Sequence, residues 1–187
     1  MVIGIIGGSG LYDLEELRER QCLTCDTDWG APSAPLVCGK LNGREVVFLA
    51  RHGESHQIPP HRVNYRANIF GMKKLGVSWI ISISAVGSLK EEIPPGDMVL
   101  IDQFIDRTKG VRATTFFEGG IVAHVAFADP VCETLRGFLL ESAREAGANT
   151  HDRGTYVCME GPAFSTRAES HLYRSWGASV IGMTNPT

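Results

Sequence analysis

Apolar runs alternate with amphipathic stretches along this chain, a pattern that predicts strands separated by helices. Residues 2–6 (Val-Ile-Gly-Ile-Ile) read as a buried strand. Residues 46–50 (Val-Val-Phe-Leu-Ala) read as another, rich in β-forming residues and ending at Arg51. Over residues 61–75, Val63, Ala67, Phe70 and Leu75 fall at roughly helical spacing, and Gly76 supplies a stop. Residues 79–83 and 98–101 predict two further strands, the second entered through Pro94-Pro-Gly-Asp97. Asp129 and Pro130 suit the N-cap and first turn of a helix that carries Leu135, Phe138, Leu139 and Ala143 and ends at Gly147. A strand at 155–159 leads through Gly161-Pro162 to a helix at 166–176, and a strand at 178–181 follows. In that helix Thr166-Arg-Ala-Glu169 fits the capping box, a hydroxyl and a Glu satisfying the first free N–H groups. Strands spaced this way predict an α/β fold with parallel pairs. Residues 107–123, with Gly110, Gly119 and Gly120, form the longest irregular stretch and a candidate active-site loop.

Chemistry in such a fold collects where strands end. Gly7-Gly-Ser-Gly10 follows the first strand; its backbone N–H groups and the Ser9 hydroxyl suit an anion, and a tight structural turn reads equally well. It is not a dinucleotide fingerprint, since Asp13 stands where the third glycine belongs, nor a Walker A loop, since no Gly-Lys-Ser/Thr follows. Arg51-His-Gly53 ends the next strand. The arginine fork matches phosphate oxygens and histidine donates or accepts near neutral pH, so the pair suggests a phosphate-sized anion; a surface Arg-His pair is the plainer reading. Arg51-His-Gly-Glu54 also resembles the nucleophile motif of histidine phosphatases, although those enzymes carry it on the first strand. Ser82-Ile-Ser84-Ala-Val-Gly87 ends a third strand, with the Ser84 hydroxyl and Ala85 N–H as donors beside small residues. No Gly-x-Ser-x-Gly elbow occurs, which argues against a serine hydrolase. His52, His56 and His61 read better as a solvated, histidine-containing loop than as a metal site.

Composition narrows the classes. The chain has 187 residues, 43% hydrophobic and 21% charged, which suits one soluble globular domain with a sizeable core. A formal charge of -3 without a basic run argues against binding nucleic acid by phosphate neutralisation. The apolar start is too short for a signal peptide or membrane span, so a cytoplasmic location is expected. Five cysteines, an odd number, fit reduced thiols; Cys22-Leu-Thr-Cys25 has CxxC spacing but no second pair, which favours simple thiols over a metal or redox site.

Eight segments occur in an order and at spacings that resemble the methylthioadenosine phosphorylase branch of the purine nucleoside phosphorylases. They are Ile5-Ile-Gly-Gly-Ser-Gly-Leu11, Leu49-Ala-Arg-His-Gly53, Val63-Asn-Tyr-Arg-Ala-Asn68, Gly87-Ser-Leu89, Pro95-Gly-Asp97, Ile101-Asp-Gln-Phe-Ile-Asp106, Glu160-Gly-Pro-Ala-Phe-Ser-Thr-Arg-Ala-Glu-Ser170 and Gly182-Met-Thr184. The resemblance implies a mixed central sheet flanked by helices, and phosphorolysis of a purine 5'-deoxy-5'-methylthioribonucleoside without metal or organic cofactor. By motif it implies that Ser9, Arg51, His52, Ser84, Ala85 and Thr184 hold phosphate. Met183 is then expected against the ribose, Phe164 and Ser165 beside the base, and His124 in a neighbouring subunit's site within a homotrimer. The Glu160–Ser170 string looks more like 6-aminopurine than 6-oxopurine enzymes.

The resemblance also implies a general acid, an aspartate on a later strand. Such a strand is expected beyond Thr187, so residues 1–187 are expected to be a single phosphorylase domain incomplete at the C-terminus. A separate C-terminal chain would complete it; an uncompleted fragment is expected to be inactive and poorly soluble.

Overall fold

A computed structural model of the chain describes residues 1–8 and 16–185; the expectations for Ser9 and Gly10 lie outside the described residues. Two compact units make up the chain, Met1–Ala85 and Val86–Thr187.

In the first unit a five-stranded mixed sheet has the order β2-β3-β4-β1-β5, built from β1 (Val2–Gly7), β2 (Arg18–Leu23), β3 (Leu36–Leu41), β4 (Arg44–Ala50) and β5 (Val77–Ile83). β1 runs parallel to both β4 and β5, whereas β2, β3 and β4 form an antiparallel meander. The parallel pairs match the expectation. β2 and β3 were not expected: β2 reads Arg-Glu-Arg-Gln-Cys-Leu, exposed throughout, a charged edge strand with no apolar alternation. β4 is buried over its last five residues, as a strand covered on both faces must be. The helix expected over 61–75 begins later, as α1 (Tyr65–Lys74), because the Asn64 side chain caps the Ala67 N–H and Pro60–Arg62 forms a separate 3₁₀ turn. Met72 packs with Ile6, Leu36, Val47 and Leu49 into the core of this unit. Burying a side chain of that kind contributes about 1.5–3 kcal/mol.

The second unit holds a four-stranded sheet of order β6-β11-β10-β8, from β6 (Gly87–Ser88), β8 (Gln103–Asp106), β10 (Thr155–Cys158) and β11 (Val180–Gly182), and a pair formed by β7 (Met98–Leu100) and β9 (Thr150–Asp152). β8, β10 and β11 are parallel; β6 is antiparallel to β11. α2 (Glu133–Glu145) starts four residues past the expected cap at Asp129: its N-cap is Cys132, and no side chain caps it. Its first turn is held instead by Arg136, buried, with partners Glu133 and Asp152 that tie the helix to β9. Both acids hold the Arg136 guanidinium firmly charged. Val157, Met159, Tyr173 and Ile181 form one core cluster of this unit.

The capping box is as expected. α3 (Arg167–Ser175) begins after Thr166, whose hydroxyl accepts from the Glu169 N–H at 3.2 Å while the Glu169 carboxylate accepts from the Thr166 N–H at 2.7 Å. The bond to the Thr166 N–H, and the Thr166 hydroxyl after it, lower the Glu169 pKa. A carboxylate depressed on folding contributes above its unfolded pKa, and its contribution fades as pH falls through the folded value. Thr166→Ala is therefore expected to cost about 1 kcal/mol at neutral pH. The melting temperatures of wild type and Glu169→Gln should converge in acid; a gap independent of pH would refute this cap energetics. Among the described residues no helix is long and apolar enough to cross a membrane.

Candidate active site

In the first unit three neighbouring parallel strands end together, since Gly7 on β1 registers with Ala50 on β4 and Ile83 on β5. The next residue of each chain segment is therefore Gly8, Arg51 and Ser84, side by side at the C-terminal edge where α/β sheets bind ligands. Backbone bonds extend the ladders one step further, from the Arg51 N–H to Gly7 O at 3.0 Å and from the Gly8 N–H to Ile83 O at 3.2 Å. The Arg51 side chain turns inward and is 2% exposed. Its Nη2 donates to Ser82 Oγ at 2.7 Å and Ile83 O at 3.2 Å, which fixes the plane of the guanidinium. A Cβ on Gly8 would lie 3.3 Å from Arg51 Nη1 and 3.9 Å from Ser84 Cα, so the glycine lets backbone and guanidinium approach each other. Ser84 is half-buried and Ala85 exposed.

His52 is buried beside Arg51. Its Nδ1 lies 2.7 Å from Ile58 O, and the Ile58 N–H donates to His52 O at 2.9 Å, pinning the 52–58 loop from both sides. A carbonyl only accepts, so Nδ1 carries the proton and the neutral ring presents the Nε2 lone pair. Burial lowers the His52 pKa; the carbonyl bond opposes this, and His56 and Arg51 lower it further. Neutral pH therefore favours the neutral ring. The His52 and His56 rings are 4.6 Å apart, but among the described residues no group of three or more His, Cys, Asp or Glu could hold a metal. Cys22, Cys25 and the other three cysteines are free thiols.

In the second unit β8, β10 and β11 also end level, Cys158 registering with Asp106 and with Gly182. Met159-Glu160 and Met183-Thr184 follow immediately. Thr184 is 7% exposed, and its N–H and that of Asn185 donate to the hydroxyl of Tyr156, at 3.4 and 3.3 Å. Met183 is half-buried with its sulfur over Gly161, where a Cβ would come within 2.5 Å. Ser165 Oγ lies 2.9 Å from Ser170 Oγ, whereas Phe164 is 84% exposed. His124 is exposed in a segment without helix or strand, together with Phe116, Phe117, Ile121, Val122, Val125 and Phe127. The structure thus groups Arg51, His52, Ser84 and Ala85 at one strand edge, and Met183 and Thr184 at another. It leaves Phe164 and His124 on the surface of their unit.

Two residues at these edges had no motif to announce them. Tyr156 belongs to an apolar strand and reads as core. Arg112 comes from the irregular segment after β8 and reaches residues 48 and 71 positions away.

A sequence profile of the phosphorylase superfamily matches residues 2–185. The chain is 62% identical over 184 residues to the S-methyl-5'-thioadenosine phosphorylase of Geobacter sulfurreducens, covering 98% of this chain and 64% of that protein. It is 56% identical over 182 residues to the protein of the same name from Thermofilum pendens, covering 97% of this chain and 69% of the relative. Among solved structures, a methylthioadenosine phosphorylase sourced from an Antarctic soil metagenomic library superposes with a TM-score of 0.94 at 51% identity. The match covers 98% of this chain and 65% of that one. The chain therefore spans just under two thirds of the Geobacter relative's length. With a profile that runs from the second residue through Asn185, and with glycine, arginine and serine at level strand ends, the chain belongs to the phosphorylase superfamily.

Proposed function

We propose that the full-length protein catalyses reversible phosphorolysis of 5'-methylthioadenosine, giving adenine and 5-methylthioribose 1-phosphate. The observation that carries this reading is Arg51, buried and planar-locked at the shared end of β1, β4 and β5 with Gly8 against its guanidinium. Relatives bearing the name S-methyl-5'-thioadenosine phosphorylase support the substrate.

Cleavage of a purine nucleoside passes through an oxocarbenium-like state, so the enzyme needs an anion held beneath the sugar and a proton for the leaving base. In this reading Arg51, Ser9, Ser84, the Ala85 N–H and Thr184 hold phosphate, and the locked Arg51 guanidinium needs no reorganisation during reaction. His52, with Nδ1–H committed to Ile58 O, accepts the phosphate hydroxyl through Nε2. Holding phosphate and nucleoside in attack geometry supplies much of the remaining acceleration. Met183 lies against the ribose, Phe164 and Ser165 border the base, and an aspartate beyond Thr187 protonates it. No metal or organic cofactor enters the step; inorganic phosphate is the co-substrate. The two units act as one phosphorylase domain of a cytoplasmic enzyme of purine and methionine salvage. Its exposed 116–127 segment, with His124, closes the methylthio pocket of a neighbour in a homotrimer.

Specificity constants test the substrate. The full-length protein is expected to favour methylthioadenosine over adenosine, inosine and methylthioinosine. A higher constant for inosine or methylthioinosine would replace this reading with a 6-oxopurine phosphorylase.

A further inference from the structure

At the strand edge of the second unit one side chain holds three acceptors from two different chain segments. Arg112 Nε donates to Glu160 Oε2 at 2.8 Å, Nη2 to Glu160 O at 2.9 Å and Nη1 to Met183 O at 2.8 Å. Its side chain is 5% exposed. The opposite oxygen of the carboxylate, Glu160 Oε1, is buried and has no hydrogen-bond partner among the described residues. Among the described residues Arg112 is the ion-pair partner of that carboxylate, at 2.8 Å. The arginine is itself held from behind. Thr108 N–H and Oγ both donate to Asp106 Oδ1 at 2.7 Å, and the Arg112 N–H donates to Thr108 O at 3.2 Å, so the turn that follows β8 aims the guanidinium.

We propose that Arg112 is a positioning residue for the sugar half of the nucleoside, locking Met183 to the Glu160-Gly161 turn. The proposal rests on the phosphorolysis reading for the identity of the sugar. Met183 is gripped at both ends, its carbonyl by Arg112 and its sulfur against Gly161. A slip of the Glu160 turn therefore moves the side chain assigned to the ribose, whereas Arg51 and His52 lie in the other unit and keep their own supports. Only a planar fork meets three acceptors so disposed; a lysine ammonium meets them as a single point.

Arg112→Lys and Arg112→Ala, made in the full-length protein, separate the two parts of the proposal. Hydrogen exchange at the amides of residues 160–161 and 183–185 is expected to quicken in Arg112→Lys, with residues 103–106 still protected. The nucleoside KM should rise roughly ten- to a hundredfold, the scale of a misplaced positioning group, while the phosphate KM, set chiefly by Arg51 and His52 in the other unit, rises by much less. Guanidinium ion should recover part of the Arg112→Ala loss, and ammonium should not. If Arg112→Ala does not fold, Arg112→Lys decides alone. Unchanged exchange at those amides, or equal rises in both KM values, overturns the proposal. A wild-type protein that performs no phosphorolysis defeats the functional reading instead, and the exchange comparison still judges the lock.

Discussion

Arg51→Ala is expected to lower phosphate-dependent turnover by roughly a hundred- to a thousandfold, the usual loss when a preorganised donor to a reacting anion is removed. The loss should appear mainly in the phosphate KM and in kcat, with nucleoside affinity much less affected. The reason is local. Arg51 is tied through Nη2 to the Ser82 hydroxyl and the Ile83 carbonyl, so its fork reaches any ligand already oriented, with no side-chain entropy left to lose. Arg51→Lys should recover charge but not the plane, and fall between wild type and alanine. His52→Ala should share the bias toward phosphate. The same variant probes assembly: if sites are shared, Arg51→Ala subunits mixed with His124→Ala subunits regain activity at sites pairing an intact Arg51 with a neighbour's intact His124. An unchanged phosphate KM in both Arg51→Ala and His52→Ala contradicts the anion site. A monomeric mass by light scattering, or no recovery on mixing, contradicts the shared one.

Gly182→Ala is expected to cost about 3 kcal/mol or more, at the upper end of what an extra methylene costs in a packed core. The new Cβ would lie 2.3 Å from the Tyr156 hydroxyl and 3.0 Å from its ring carbon. Tyr156 is 1% exposed and cannot swing aside, and its hydroxyl accepts from the Thr184 and Asn185 N–H groups. The substitution therefore strains β11 and drags Thr184, so activity should fall even at temperatures where the protein stays folded. Tyr156→Phe removes the hydroxyl from the clash, and the double variant should be more stable than the sum of the single losses predicts. Chemical denaturation measures this. A Gly182→Ala midpoint equal to wild type would show that the strand end is loose enough to absorb a methyl group.

The strand ends were legible because their signal is local. β1, β4 and β5 are apolar runs that stop at Gly7, Arg51 and Ser84, and each change of character marks where a backbone leaves the sheet. α3 was legible from four residues, since a capping box needs nothing beyond its own turn. β2 was not, because its charged residues are exposed and only backbone pairing with β3 makes it a strand. The start of α2 was misread for a related reason: Asp129-Pro130 is a good local cap, but Arg136 reaching Glu133 and Asp152 settles the first turn at Cys132. Arg112 is the extreme case. Its role depends on Glu160 and Met183, which only the parallel alignment of β8, β10 and β11 brings near.

In the proposed reaction phosphate, held by Arg51, attacks the sugar as the purine leaves. Incubating the full-length protein with methylthioadenosine and fully ¹⁸O-labelled phosphate tests it directly, with mass spectrometry of the products. Adenine is expected together with a methylthioribose phosphate that retains every labelled oxygen, including the one bonded to carbon. Adenine accompanied by free methylthioribose, or no adenine at all, would contradict it.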